Sequence, residues 1–309
     1  MMLDEPGNWG RWGADDERGA LNLLTPETVV AAAGCVREGR ALSLSLPIRG
    51  ATSSPAPTTV PHLRGRPLPQ HFMSVDGGDY AAGARAIGAG LRMADDALVV
   101  TPHGTTTHMD ALCHMWSGDR LYNGHPADRV RSYGATRCGI DKAGPVIARG
   151  VFFDVPAVRG LSHLGARDRV EPADLEACLD GTGVELRAGD VAVIRTGWPL
   201  VWREEGPDGY WAGQPGLSAD AGRWLAERDV CVVASDNAAI GGLNERQLAD
   251  EDLADDLHMI LLWRHGIHLV EMLWLEELAE AGRIDFLFVA APLRIEGGTA
   301  SPVNPVAVL

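Results

Sequence analysis

Five short apolar runs constrain the fold more than any other feature of the chain: Ala97–Val100, Gly150–Val155, Asp190–Arg195, Val230–Ala234 and Phe286–Ala290. They are rich in β-branched and aromatic residues and bounded by turn formers, a pattern that favours strands over helices. Leu42-Ser43-Leu44-Ser45-Leu46 alternates apolar and polar with period two, as a strand buried on one face does. Helical stretches lie between these runs. Thr25 precedes Pro26-Glu27 and an Ala/Val-rich stretch to Arg37, with Gly39 just beyond, which predicts a capped helix with proline in its first turn. Pro172 to Leu179 and Ala219 to Glu227 predict two more, the second capped by Ser218. Strands and helices mix without strict alternation, and no internal repeat or linker interrupts them. The expectation is one α/β domain over residues 1–309 around a mixed β core with flanking helices. An N-terminal extension of about residues 1–45 is expected to pack on that domain or on a partner subunit.

Glycine and proline, 37 and 19 of 309 residues, imply many turns and structured loops, where sites concentrate. The Pro/Thr/Ser-rich segment from Arg49 to Asp76 has no sustained periodicity and reads as an ordered excursion near a site or a lid. A formal charge of −15 repels phosphate backbones and anionic membranes, which argues against nucleic-acid and membrane partners and leaves a small-molecule substrate. No run approaches the ~18–20 apolar residues of a membrane helix. The acidic start Met1–Pro6 does not read as a signal peptide, so a cytoplasmic location is expected. The cysteines, Cys35, Cys113, Cys138, Cys178 and Cys231, are odd in number and form no CxxC pair, which fits reduced thiols.

The densest chemical signal is Thr101-Pro102-His103-Gly104-Thr105-Thr106-Thr107-His108-Met109-Asp110-Ala111-Leu112-Cys113-His114. In an extended segment residues i and i+2 share a face, so His108 and Asp110 can present an imidazole nitrogen and a carboxylate oxygen to one ion. Nitrogen and oxygen donors suit zinc or manganese. Cys113 falls out of phase with Asp110 and is assigned to the core. Far downstream, His258 opens an apolar helix-like run that Gly266 can end, and Ile267-His268-Leu269-Val270-Glu271 reads as a strand carrying Glu271. From that segment alone, His258 as a helix-cap or core histidine and Glu271 as a salt-bridged strand end are as good readings as ligation.

These residues resemble the cyclase family of metal-dependent hydrolases, which includes kynurenine formamidases and isatin hydrolases. The family hallmark is similar to His-x-Gly-Thr-His-x-Asp-Ala-Pro-x-His, and Thr107–His114 matches its second half. The stretch Asn8–Glu27 and the terminal Gly297–Pro305 resemble its longer members. The resemblance implies a swivelling β/α/β-like fold. It also implies a Zn²⁺ or Mn²⁺ site with His108 and Asp110 as ligands, completed by His258 and Glu271, and His114 as the histidine that moves protons. The first hallmark histidine lies six residues before the aspartate, where this chain has Gly104, so a loop adjustment is expected to bring His103 inward as a ligand. The resemblance further suggests a homodimer or homotetramer.

A cation held by imidazole and carboxylate lowers the pKa of bound water toward ~7. The expected activity is therefore attack of metal-activated water on an amide, lactam or formamide carbonyl, with His114 passing the proton to the departing nitrogen. No Gly-x-Ser-x-Gly elbow suggests a serine triad. A metal-dependent cyclase or lyase of a polyketide or other secondary-metabolite pathway is the alternative. A binding protein with a structural metal is a third reading, disfavoured because structural zinc is usually cysteine-rich. Trp9, Trp12, Phe72, Trp116 and Tyr122 are the candidate substrate-binding aromatics.

Overall fold

The computed structural model describes residues 7–49, 61–63, 65–242 and 255–309. The Met1–Pro6 start and part of the Arg49–Asp76 excursion lie outside the described residues. The architecture is α/β, built on one mixed sheet of nine strands. Four parallel strands form its centre, Val146–Asp154, Val191–Arg195, Val232–Ser235 and His268–Glu271 in spatial order. The last three are buried at every position, as expected of parallel strands covered on both faces, and this is why they read as continuous apolar runs rather than alternating ones.

Antiparallel strands complete both sides. Asp285–Ala290 pairs with Val146–Asp154, followed outward by Val306–Val308 and Ala41–Ser43. On the other side His108–Asp110 pairs with His268–Glu271, and Ala300–Pro302 closes that edge. The helices Pro26–Ala33 and Pro172–Leu179 pack on the sheet, while Ala219–Glu227 lies against Pro172–Leu179 and the π-helix His258–Arg264. The N-terminal residues are integral to this body: Ala20 and Leu21 are buried in the core, and the Ala20 N–H donates to the Gly266 carbonyl at 2.8 Å.

Several expectations meet the structure directly. Both Pro172–Leu179 and Ala219–Glu227 are helices, and Ser218 caps the latter by accepting the Ala221 N–H. Leu44 and Leu46 are buried, although the paired strand ends at Ser43 and only Ser45 bridges onward to Leu273. The first helix stops at Ala33 rather than continuing to Arg37, because the backbone N–H groups of Glu38 and Gly39 both turn to the Leu309 carbonyl, at 2.8 Å each. The run at Ala97–Val100 forms a strand, Asp95–Val99, but outside the core: among the described residues it pairs only with Gln70–Val75, in an exposed two-stranded arm. The helix Trp198–Trp211 has no clear signal in the sequence, since Gly206 at φ 73° and Pro207 break its periodicity with a kink.

All five cysteines are free and buried, with burial pushing the Cys113 thiol up to about 12. No helix among the described residues is long and apolar enough to cross a membrane.

Charged clamps join the layers. The Arg195 guanidinium, nearly buried at the end of its strand, donates to Glu276 through Nε at 3.0 Å and Nη2 at 2.7 Å, and to Asp154 at 2.8 Å. Arg149 makes a similar two-pronged contact with Asp190. Removing one member of such a clamp leaves the other charge without compensation. Arg195→Met should therefore destabilise the protein by about 3–5 kcal/mol, whereas the exposed pair Arg223–Asp220 should be nearly silent on substitution. Chemical denaturation of the two variants side by side checks the contrast.

Candidate metal centre

Six side chains from two distant stretches of the chain, residues 103–114 and 258–271, meet at the His268–Glu271 strand. His108 and Asp110 point to one face because residues 108–110 are a strand, and the register Glu271↔His108 sets Glu271 directly across from His108. His108 Nε2 lies 3.6 Å from Asp110 Oδ1 and 3.5 Å from Glu271 Oε2. His258, the first residue of the π-helix, extends Nε2 to 3.4 Å from Glu271 Oε1 and 3.7 Å from Asp110 Oδ2. His103 reaches in from the preceding loop, with Nε2 3.3 Å from Asp110 Oδ1, and its ring stacks on that of His114 with centroids 3.8 Å apart.

The local backbone explains the inward turn of His103. Gly104 has φ +69°, and a Cβ there would come within 2.7 Å of Leu63 Cβ, so this position can hold no side chain. The Gly104 carbonyl accepts the Leu63 N–H at 2.5 Å, which pins the turn. One residue earlier, His103 is free to enter the cluster.

Neighbouring groups hold the ligand-type side chains in place. The Thr106 carbonyl lies 2.8 Å from His108 Nδ1, so the ring donates there and leaves Nε2 facing the carboxylates. His268 Nδ1 donates to the Asp110 carbonyl at 2.8 Å. Asp256 Oδ1 accepts the backbone N–H of His258 at 2.8 Å and lies 3.5 Å from its Nδ1. Thr107 Oγ1 accepts the Leu46 N–H and donates to the Met272 carbonyl, tying the His108 strand to the chain beyond Glu271. His268 and Asp256 were within view in the sequence, but no local pattern marks a residue that acts by orienting another.

The electrostatics are those of two buried carboxylates set among imidazoles. Burial pushes the Asp110 carboxyl up, yet His114, His103 and His108 hold it well below the usual carboxylate range. Burial and the Asp110 charge raise Glu271, only partly offset by His258 and His108. Burial also drives His114 down to about 3, against the pull of Asp110, so it is neutral at pH 7. Both oxygens of Asp110, Oε1 of Glu271 and Nε2 of His103 are buried without a hydrogen-bond partner among the described residues. Buried polar atoms without partners are costly, and here they converge. His103, Asp110 and His114 form one group able to hold a metal ion, and His108, Asp110 and Glu271 another, with Asp110 common to both.

The aromatic candidates are placed differently. Tyr122 is fully buried, with its hydroxyl donating to Asp16 at 3.1 Å, and Trp9 donates its indole N–H to the Trp263 carbonyl at 2.7 Å. Both are committed to packing around the π-helix. Trp12 is half-buried with Arg11 stacked over its ring, and Phe72 stands exposed on the two-stranded arm. Trp116, two residues beyond His114, is 37% exposed.

The sequence profile of the family described as "Putative cyclase" matches residues 42–241, close to two thirds of the chain. The chain belongs to the cyclase family. A crystal structure of another cyclase-family protein is 35% identical, with a TM-score of 0.88 and 98% of each chain covered. Isatin hydrolase A from Ralstonia solanacearum shares the fold at 22% identity and a TM-score of 0.61, over 92% of this chain and 97% of that one. The kynurenine formamidase of Bacillus thuringiensis (strain Al Hakam) is 29% identical over 92 residues, 30% of this cyclase-family chain and 39% of the relative's own length. The match thus spans well under half of that curated relative.

If the converging orphans mark a cation site, Zn²⁺ or Mn²⁺ added to metal-stripped protein should raise Tm by several degrees, as mass action requires of a ligand that binds only the folded state. His108→Ala and Asp110→Ala should each abolish the rise. Metal content per chain, measured on the same samples, checks the assignment, and His103→Ala tests the turned-in loop: an unchanged metal content would remove His103 from the ligand set.

Proposed function

We propose that this protein is a divalent-metal-dependent hydrolase that cleaves the C–N bond of an amide, lactam or formamide. The observation that carries the reading is the convergence of partnerless buried carboxylate and imidazole atoms around Asp110. The donor chemistry suits Zn²⁺ or Mn²⁺, with His103, His108, Asp110, His258 and Glu271 as the residues that would hold it. The metal, when bound, supplies Lewis acidity and a water of lowered pKa. The relatives named kynurenine formamidase and isatin hydrolase support the C–N bond as the target.

The chain's own groups do the rest. His114 is held by the stack on His103 with its ring 5.8 Å from that of His258, so an imidazole stands beside the candidate ligands. It takes the proton from the attacking water and returns it to the leaving nitrogen. Asp110 and Glu271 fix the positions of the imidazoles around them, and the buried setting strengthens every charge interaction on the reacting carbonyl.

We propose further that a second copy of the chain covers the exposed arm, giving the homodimer or homotetramer that the resemblance suggests. A lone two-stranded ribbon is marginal in water, yet this one exposes Phe72 and Val99 on one face and Met73 and Leu98 on the other. Its strand Asp95–Val99 leads directly into the loop of His103.

Metal-loaded enzyme incubated with N-formylkynurenine, isatin and related lactams should release one carboxylate per turnover, followed by titration of acid. Ring closure or elimination with no new carboxylate would favour the cyclase or lyase alternative. His114→Ala should keep most of its metal while losing on the order of 10²–10⁴-fold in turnover. Loss of metal in that variant would instead make His114 a ligand, as its grouping with His103 and Asp110 permits.

A further inference from the structure

Partnerless polar atoms do not end at the candidate ligands. Trp198 Nε1, the Tyr210 hydroxyl, Gln214 Nε2, Ser235 Oγ and His62 Nδ1 are also buried and without hydrogen-bond partners among the described residues. Native interiors leave few such groups, and each calls for a bound water, an ion or a ligand. These five lie next to the candidate metal centre on two sides.

The first side is the carboxyl end of the parallel strands, where ligands collect in open α/β sheets. The register Ala234↔Val270 sets Ser235 level with Glu271. The next residue, Asp236, accepts the N–H groups of Thr196 at 2.9 Å and Gly197 at 2.8 Å and so fixes the start of the helix that carries Trp198, Trp202 and Tyr210. Ala238, close behind, donates its N–H to Gln214 Oε1 at 3.1 Å, leaving Nε2 unused. Arg203 of the same helix stacks on Trp274, three residues beyond Glu271. The second side is the His103 loop: His62 packs edge-on to Trp202 at 5.4 Å, and its neighbour Leu63 pins Gly104, adjacent to His103. Between them Tyr210 contacts Trp202 at 5.3 Å and Trp198 at 5.9 Å between ring centroids. Burial pushes the Tyr210 hydroxyl up, and the charges of Asp236 and then Glu271 add to it.

We infer that Trp198, Trp202, Tyr210 and His62 form the specificity wall of this site, and that the Trp198 N–H and Tyr210 hydroxyl donate to a carbonyl or carboxylate oxygen on a planar ring-bearing substrate. Tyr210 and Trp198 are buried as deeply as Asp110 and Glu271, Trp202 is nearly so, and His62 is partly buried. The inference rests on the hydrolase reading for the reaction and on the orphaned donors for the residues. It also separates the two groups' roles: the aromatic faces select a flat ring, and the two donors select the oxygen it carries.

Tyr210→Phe and Trp198→Phe, each in metal-loaded full-length protein, decide it. Deleting a hydroxyl that has no partner should leave Tm unchanged or raise it. A drop of several degrees in Tyr210→Phe would show that the hydroxyl already has a partner in the resting protein and would overturn the inference. Each variant should lower kcat/KM on isatin or N-formylkynurenine by about 10- to 100-fold with metal content unchanged, while Trp224→Phe, whose indole N–H is spent on Glu176, should not. Equal kcat/KM in wild type and both variants overturns the inference and leaves the hydrolase reading intact. If wild type turns over neither probe, calorimetric titration with anthranilate, a planar carboxylate, decides the wall alone. Saturable binding weakened about tenfold in both variants supports it; no binding, or equal affinity in all three proteins, overturns it.

Discussion

A carboxylate with no solvent exposure sits among four imidazoles, and the arrangement of the molecule follows from keeping it there. Asp110 is on a three-residue strand, too short to be secured by its own ladder, so it is wedged between His268–Glu271 and Ala300–Pro302 and held by His268 at its carbonyl. The charge is tolerated because its surroundings are basic nitrogen rather than hydrocarbon. Glu271 stands opposite as a second carboxylate, and two such groups at this separation cannot both be comfortable without positive charge between them. The stability of the fold and the chemistry of the site therefore share the same few atoms.

The mixed sheet supplies this geometry. Parallel strands at its centre bring their carboxyl ends to one edge, so Arg195, Ser235 and Glu271, far apart in the chain, finish side by side. The antiparallel wing adds His108 and Asp110 from the other direction. Asp236 then uses the same edge to anchor the kinked helix that follows Gly197, so one row of strand ends positions ligand-type groups, the aromatic cluster and the clamp to Glu276.

Much of this was legible in the sequence wherever the signal is local. Strand runs with two buried faces announce themselves by continuous β-branched residues, and the two-residue spacing of His108 and Asp110 carries directly into a shared face. Pro172–Leu179 and Ala219–Glu227 are bounded by residues whose capping is a matter of neighbouring atoms. Legibility fails where distant contacts decide. The backbone beyond Ala33 leaves the helix because Leu309 offers it a carbonyl, and nothing near Arg37 says so. Tyr122 and Trp9 follow the His114 and N-terminal motifs in sequence but spend their polar atoms on Asp16 and Trp263, while Trp198, Trp202 and Tyr210, nearly a hundred residues downstream, are the aromatics that adjoin the site. Gly206 and Pro207 hid the helix that carries them.

The π-helix at His258–Arg264 has a consequence of its own. A π-turn closes from i to i+5, so it contains one residue more than an α-turn covering the same height. Residues five apart, such as His258 and Trp263, are drawn toward a common side, and here one meets the carboxylates while the other meets Trp9 and the Arg120 carbonyl. A single-residue deletion inside the turn would let it relax to ordinary pitch and swing these two side chains apart. The extra residue thus works as a spacer: the length of this segment lets Trp263 grip Trp9 while His258 faces the carboxylates.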